Sequence, residues 1–392
     1  MTRFLDSVLR NYIRLGTTAL LIVVCAGEAR AQLPRQISDS SSVSILTTFP
    51  GAPVYSAWGH SAMRIQDPDS GIDAVFSYGT FDPARPYFIP RFVYGDMLYE
   101  ISVEPMTRFM RKSDLEQRDV VEQVLHLSTE ATAQMWGLLM ENLREENKSY
   151  LYDFVYDNCS TRLIDLLEAT GSIALPADDP YSATFREMLD EYIHNRALLD
   201  LGIDLVLGSK LDSQPDVRAR TFLPVYLMDI LDVSVSYDGT PLVRQKRMLA
   251  EYGARPDQSG LPWTIPFFWA ASLALLGITA KGYRDKTLTE PSRLDRWLLG
   301  VIGFAGLFLM IMWFFTHHTL TAMNWNVAWA LPTHFLVAAR WKRIPRLRTY
   351  LRYASYWTVA ILVLQFFLAQ SIPPPMLPVV IALAIRMWVV SR

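Results

Sequence analysis

YLYDFVYDNCSTRLIDLLEATG, residues 150–171, is the stretch on which the reading turns. Aromatic residues crowd at Tyr150, Tyr152, Phe154 and Tyr156 and stop at Asp157-Asn158. Leu163, Ile164, Leu166 and Leu167 then mark an amphipathic helix closed by Gly171, with Asn158 or Asp157 as its natural N-cap. Cys159 therefore falls in the first helical turn. There the helix dipole and free backbone N–H groups favour a thiolate, lower the thiol pKa and offer an oxyanion site. A buried, inert cysteine is the competing reading, and both stay open at this level.

A nucleophilic cysteine needs a base, usually histidine. Residues 32–260 hold three: His60, His126 and His194. His126 and His194 lie in helix-like stretches among leucines and charges, which suits boundary positions. His60 differs, because Trp58-Gly59-His60-Ser61-Ala62 places it among small residues on an expected strand over 57–66. Around it the pattern predicts strands over Ser42–Thr48 and Asp73–Tyr78, with a turn at Asp67-Pro68-Asp69-Ser70-Gly71. In a hairpin centred near Asp69, Tyr78 lies almost opposite His60 and would orient it, or simply pack across the strands. Further strands are expected over Phe92–Tyr94 and Leu98–Val103. Helices are expected over 115–126 and from an N-cap at Ser128 to about Glu145. Arg162 is read as meeting an anionic substrate group or pairing with Asp165 or Glu168. The HExxH, CxxC, GxSxG and Gly-rich phosphate-loop signatures are missing, so no metal or cofactor is expected.

Outward from this domain the chain changes solvent. It has 392 residues, is 51% hydrophobic and carries a net charge of −2. Residues 261–392 carry 13 Lys and Arg against 3 Asp and Glu, whereas residues 32–260 carry 20 against 34. The acidic part argues against a nucleic-acid binder. Residues 1–31 read as an export signal, or as an N-terminal anchor: Arg3, Arg10 and Arg14, a short apolar stretch, then Ala29-Arg30-Ala31. About five membrane spans are expected, near 263–280, 297–316, 321–341, 354–371 and 374–390, with Pro332 and His334 interrupting the third and Arg386 placed awkwardly in the fifth. Basic loops at Lys281–Arg296 and Arg340–Arg352 point to the cytoplasm, which leaves residues 32–260 outside. Cys25 lies in the signal, so the mature chain keeps one thiol, which cannot form an internal disulfide.

The blocks Thr47–Pro50, Ala57-Trp58-Gly59-His60-Ser61-Ala62, Tyr78-Gly79-Thr80-Phe81-Asp82, Tyr150–Arg162 and Leu201–Gly208 together resemble the Lnb-type domain. The order of His60 before Asn158-Cys159 is also similar to circularly permuted NlpC/P60 papain-like proteins, which include acyltransferases of the lecithin-retinol type. The resemblance implies a papain-like α+β exported domain followed by an α-helical membrane bundle, held in the bacterial inner membrane. It implies an N-acyltransferase that moves an acyl chain from a membrane phospholipid to the α-amino group of a lipoprotein's N-terminal cysteine. Cys159 and His60 would be catalytic, with Ser61, Tyr78, Asn158 and Arg162 supporting them. His317, His318, Asn324 and Asn326 would form a substrate-binding loop on the same side of the membrane. Two other readings remain: a periplasmic Cys/His hydrolase acting on cell wall or phospholipid, and a membrane-anchored sensor.

Overall fold

The computed structural model describes residues 33–82, 84–177, 181–236, 238–253, 261–288, 290–341 and 346–392. The expected signal at 1–31, and Lys342 and Arg343 of the second basic loop, lie outside them.

Strands β1 (Ser42–Thr48), β2 (His60–Asp67) and β3 (Ile72–Thr80) open the chain, followed by a short helix α1 (Phe88–Tyr94) and β4 (Leu98–Pro105). Helix α2 (Met106–Glu116), β5 (Val120–Leu125), α3 (Thr129–Asn142), β6 (Ser149–Leu151) and α4 (Cys159–Ala169) come next. Four helices follow, α5 (Phe185–Ile193), α6 (Ala197–Val206), α7 (Val217–Arg220) and α8 (Pro224–Val233), and then strand β7 (Val243–Ala250). The seven strands form one antiparallel sheet in the order β6-β4-β3-β2-β1-β5-β7. Edge strand β7 carries Arg244, Lys246 and Arg247, charges that discourage edge-to-edge association.

Helix α2 covers one face of the sheet, where Met106 and Phe109 pack with Leu46, Ala62, Val75 and Val120. Helices α3 and α4 cover the other, with Trp136 edge-on to Phe76 at 5.9 Å and Ser160 bonded to Ser61. Buried Glu122 accepts hydrogen bonds from Arg64 at 2.8 Å and from Arg247 at 2.7 Å, so its charge on the central sheet is fully partnered.

Two sequence expectations fail here. The 92–94 segment belongs to helix α1 rather than to a strand. The expected helix over 115–126 is instead the end of α2, a break at Gln117 in the left-handed region (φ 51), and then β5.

The C-terminal part contains α9 (Thr264–Arg284), α10 (Arg293–Phe315), the short helices α11 (Asn326–Trp329) and α12 (Thr333–Ala339), then α13 (Leu347–Leu364) and α14 (Leu377–Val390). Among the described residues, α9 and α10 are the two helices long and apolar enough to cross a membrane. The expected third span is not a continuous helix. Asn324 and Asn326 hold a turn, Pro332 starts α12 anew, and the segment folds into pieces of at most seven residues. Gly303 and Gly306 of α10 let this broken segment approach closely, since a Cβ on Gly306 would stand 1.5 Å from the Ala330 carbonyl oxygen. Arg386, odd in an apolar run, is bonded to Asp295 of α10 at 2.7 and 3.2 Å and to Thr279 of α9 at 3.2 Å, so a buried ion pair ties three helices together.

Helix α6 joins the two parts. Leu201 packs with Leu299 and Trp329 of the C-terminal helices, while Ile203 and Leu207 pack on a cluster of Phe185, Leu211 and Phe222. Gly208 permits a close approach at this junction: its N–H donates to the Leu320 carbonyl at 2.8 Å, and a Cβ there would lie 1.9 Å from the Ala322 carbonyl oxygen.

Candidate active site

Helix α4 begins where the sequence places it. The Asn158 side chain accepts from the N–H groups of Ser160 (2.8 Å) and Thr161 (3.1 Å), and the Thr161 hydroxyl accepts from the Asn158 N–H (2.8 Å), a reciprocal capping box. The Asn158 amide also donates to the carbonyls of Phe154 (2.7 Å) and Phe222 (2.9 Å). Asn158 is buried and all its polar atoms are engaged, so it anchors the helix start to two neighbouring segments.

The half-buried Cys159 sulfur lies 4.0 Å from the Ser160 hydroxyl and accepts from the backbone N–H of Ser61. Ser160 Oγ in turn donates to Ser61 Oγ at 3.0 Å, fixing α4 against β2. The peptide unit whose N–H reaches the sulfur is the one that follows His60. His60, also half-buried, is the first residue of β2 and pairs with Thr48. Gly59 just before it turns the chain with φ 88, and a Cβ there would stand 2.8 Å from the Thr48 carbonyl oxygen. Only glycine suits that corner.

The β2–β3 ladder runs from Met63↔Phe76 to Asp67↔Ile72 and stops short of His60, and β3 is irregular between Ser77 and Thr80. The buried hydroxyl of Tyr78 accepts from Asn142 at 2.6 Å and its ring meets Tyr150 edge-on, contacts of the packing role that the sequence also offered. Gly79 instead borders the thiol: a Cβ there would lie 3.9 Å from Cys159 Cβ and 4.0 Å from the Tyr99 ring. Tyr99 stacks on Tyr152 at 4.2 Å. Neither Gly79 nor this tyrosine pair was singled out as site-forming in the sequence. Tyr78-Gly79 was the available signal, since a glycine beside a strand tyrosine marks close approach.

The electrostatics differ from the sequence expectation. Burial pushes the Cys159 thiol pKa up, opposed by hydrogen bonds from the Ser61 amide and the Ser160 hydroxyl. Desolvation outweighs these hydrogen bonds and those from the backbone N–H groups of Cys159 and Ser160 at the helix start. Burial, helped by the positive charge of Arg118, lowers the His60 pKa to about 4. At neutral pH the pair is a neutral thiol and a neutral imidazole, so the ring is free to accept a proton.

Arg162 pairs bidentately with Asp157, at 2.5 and 2.6 Å, and lies over the Tyr150 ring at 4.2 Å. Asp165 and Glu168 pair with Arg218 instead. The Asp157–Arg162 fork braces the turn that precedes Cys159. His317, His318, Asn324 and Asn326 also sit differently from an open substrate loop. The Asn324 amide donates to the carbonyls of Leu205 (2.8 Å) and Val206 (3.0 Å), and that of Asn326 to Asp204 (3.0 Å). Both asparagines are buried and satisfy the C-terminal carbonyls of α6, so they join the two parts of the protein rather than facing lipid headgroups. The His317 N–H donates to Tyr94 at 2.8 Å, and the His318 ring bonds the Phe92 carbonyl at 2.8 Å, so both fasten α1. Among the described residues no cluster of three or more His, Cys, Asp or Glu side chains is placed to hold a metal ion.

Fold and site define an α+β domain with a cysteine at a capped helix start packed on the strand that His60 opens, continuous with apolar helices of membrane-crossing length. The chain belongs to the Lnb family: the Lnb N-terminal periplasmic domain matches residues 30–191 and the Lnb transmembrane domain residues 258–392. It is therefore a membrane protein with a periplasmic domain. No curated protein matches it. A solved structure with some similarity, that of the Type VI secretion system effector TseH, is 19% identical, covers 40% of this chain and 89% of its own, and has a TM-score of 0.26.

Proposed function

We propose that the protein is a thiol-dependent lipoprotein N-acyltransferase of the bacterial inner membrane, with a papain-like division of labour between Cys159 and His60. What supports the reading is that the Cys159 sulfur meets the backbone N–H of Ser61, the residue next to His60 in the chain, in a domain fastened to membrane helices through α6.

In the first half-reaction the Cys159 sulfur attacks an ester carbonyl of a phospholipid while its proton passes to the neutral His60 imidazole. The backbone N–H groups of Cys159 and Ser61, which lie next to the sulfur, would be the donors nearest the oxyanion. The carbon–oxygen bond to glycerol then breaks, and the leaving alkoxide takes the proton from the imidazolium, giving a thioester and a lysophospholipid. In the second half-reaction the α-amine of a lipoprotein N-terminal cysteine attacks the thioester and gives its proton to His60. The carbon–sulfur bond breaks, an amide forms, and the sulfur regains a proton. Donor and acceptor both reside in the bilayer, which is a physical reason for attaching the site to a membrane domain.

The test is mass spectrometry of lipoprotein N-termini from cells that depend on this protein. Wild type should give N-acylated termini and Cys159→Ser free amines. Free fatty acid without acylated lipoprotein would identify a hydrolase, and full N-acylation by Cys159→Ser would remove the thiol from the chemistry.

A further inference from the structure

Helix α1 is short, apolar and unburied. None of its seven residues is buried, although Ile89 is 66% exposed, Phe92 52% and Val93 41%, with Tyr87 and Tyr94 at its two ends. A soluble domain has no reason to present such a face to water.

Its location explains the face. The loop that leaves membrane helix α10 clamps it: the His317 N–H and the His318 ring bond the carbonyls of Tyr94 and Phe92, and the Tyr94 and His317 rings lie 4.6 Å apart. Gly95, with φ 80, permits the contact, because a Cβ there would meet the His318 nitrogen at 2.9 Å. The last turn of α10 itself exposes Phe314 and Phe315. Helix α1 therefore sits beside the end of a helix long and apolar enough to cross a membrane, and both expose large apolar side chains there. Tyrosines at both ends and Arg91 in the last turn are the composition of a helix lying in the interface.

On its inner side α1 leads to the thiol. Phe88 stacks on Phe81 at 5.8 Å, Phe81 lies 5.3 Å from Tyr99, and Tyr99 stacks on Tyr152 at 4.2 Å. Tyr99 and Cys159 border Gly79 together.

We infer that α1 lies in the outer leaflet as an in-plane helix, and that phospholipid acyl chains pass from the bilayer over Phe88, Phe81 and Tyr99 to Cys159. The leaflet contact stands on geometry alone; the passage to Cys159 rests on the acyltransferase reading.

Two experiments on the full chain in phospholipid nanodiscs separate these claims. The first labels Ile89→Cys, in a Cys25→Ser, Cys159→Ser background, with an environment-sensitive fluorophore. Quenching by lipids carrying a nitroxide high on the acyl chain, with protection from iodide, is the expected result. Iodide quenching equal to that of Ser70→Cys on the exposed β2–β3 turn would overturn the leaflet placement. The second compares Phe92→Asp with wild type for the rate at which bilayer phospholipid acylates Cys159. That rate should fall about tenfold or more, the equivalent of one large apolar side chain lost from lipid, while alkylation of Cys159 by a small water-soluble reagent is unchanged. An unaltered acylation rate in Phe92→Asp refutes the passage and leaves the acyltransferase reading intact. Failure of wild type to acquire an acyl group refutes both passage and acyltransferase reading, and the quenching result still decides where α1 lies.

Discussion

Replacing Asn158 by alanine should cost more than an ordinary helix cap. The side chain caps the N–H groups of Ser160 and Thr161 and donates to the carbonyls of Phe154 and Phe222. Loss of the cap alone costs about 1 kcal/mol. Leaving two buried carbonyls without donors adds about 1 kcal/mol each. The total of about 3 kcal/mol corresponds to a fall in Tm of roughly 6–12 °C for a domain of this size. Asn158→Ser restores a good cap but not the two donors, so it should recover about 1 kcal/mol of the loss. The assay is thermal unfolding of the full-length protein in nanodiscs at one fixed scan rate, paired with the alkylation rate of Cys159. An Asn158→Ala protein melting within about 1 °C of wild type, or a serine variant no better than alanine, would refute the account of how the Cys159 turn is held.

The pH dependence has a definite sign. With the His60 pKa lowered to about 4, its imidazole stays neutral through the physiological range, so activity should lose its base only near that value. Because unfolded histidine titrates near 6.5, the same shift leaves stability whole above that pH and erodes it as pH falls from there toward 4. The raised thiol pKa predicts that Cys159 is alkylated more slowly than a free thiol at pH 7, with the rate still climbing in alkaline solution; a plateau at acidic pH would reveal a thiolate–imidazolium pair instead. Gly208→Ala forces a Cβ into the Ala322 carbonyl and should separate the periplasmic and membrane parts, seen as new protease cleavage between them, whereas Gly137→Ala on α3, with open space around it, should leave the junction intact. Asp295→Ala strands the Arg386 guanidinium inside the bundle and should cost about 3–5 kcal/mol, while Asp295→Leu combined with Arg386→Met should regain most of that in thermal unfolding.

What was legible in the sequence follows local physics. Strand β1, the Ser128 cap of α3 and the Asn158 cap of α4 were readable because alternation and caps are local signals. Strand β5 was not, because Val120–Leu125 is buried on both faces and its Glu122 and Gln123 look like surface residues. They are tolerated only because Arg64, Arg247 and the Met228 carbonyl meet them from distant segments. The aromatic and β-branched residues of α1 mimic a strand, and the contacts that keep it helical come from a loop more than two hundred residues away. The hairpin was placed correctly, but its register is offset by one residue from a turn centred on Asp69, and Gly79 borders Cys159. The thiol and its helix were visible from composition and capping, whereas its pKa direction was not. Burial is a tertiary quantity, and here it exceeds the helix-terminus effect.

The most direct test is the intact mass of the purified protein after incubation with a phospholipid bilayer and no amine acceptor. Wild type should gain the mass of one acyl chain on Cys159, removable by hydroxylamine as a thioester is. Cys159→Ala should gain nothing, and His60→Ala should gain it far more slowly. An unmodified wild-type mass, or an adduct that persists in Cys159→Ala, would contradict the claim that this cysteine carries the acyl group.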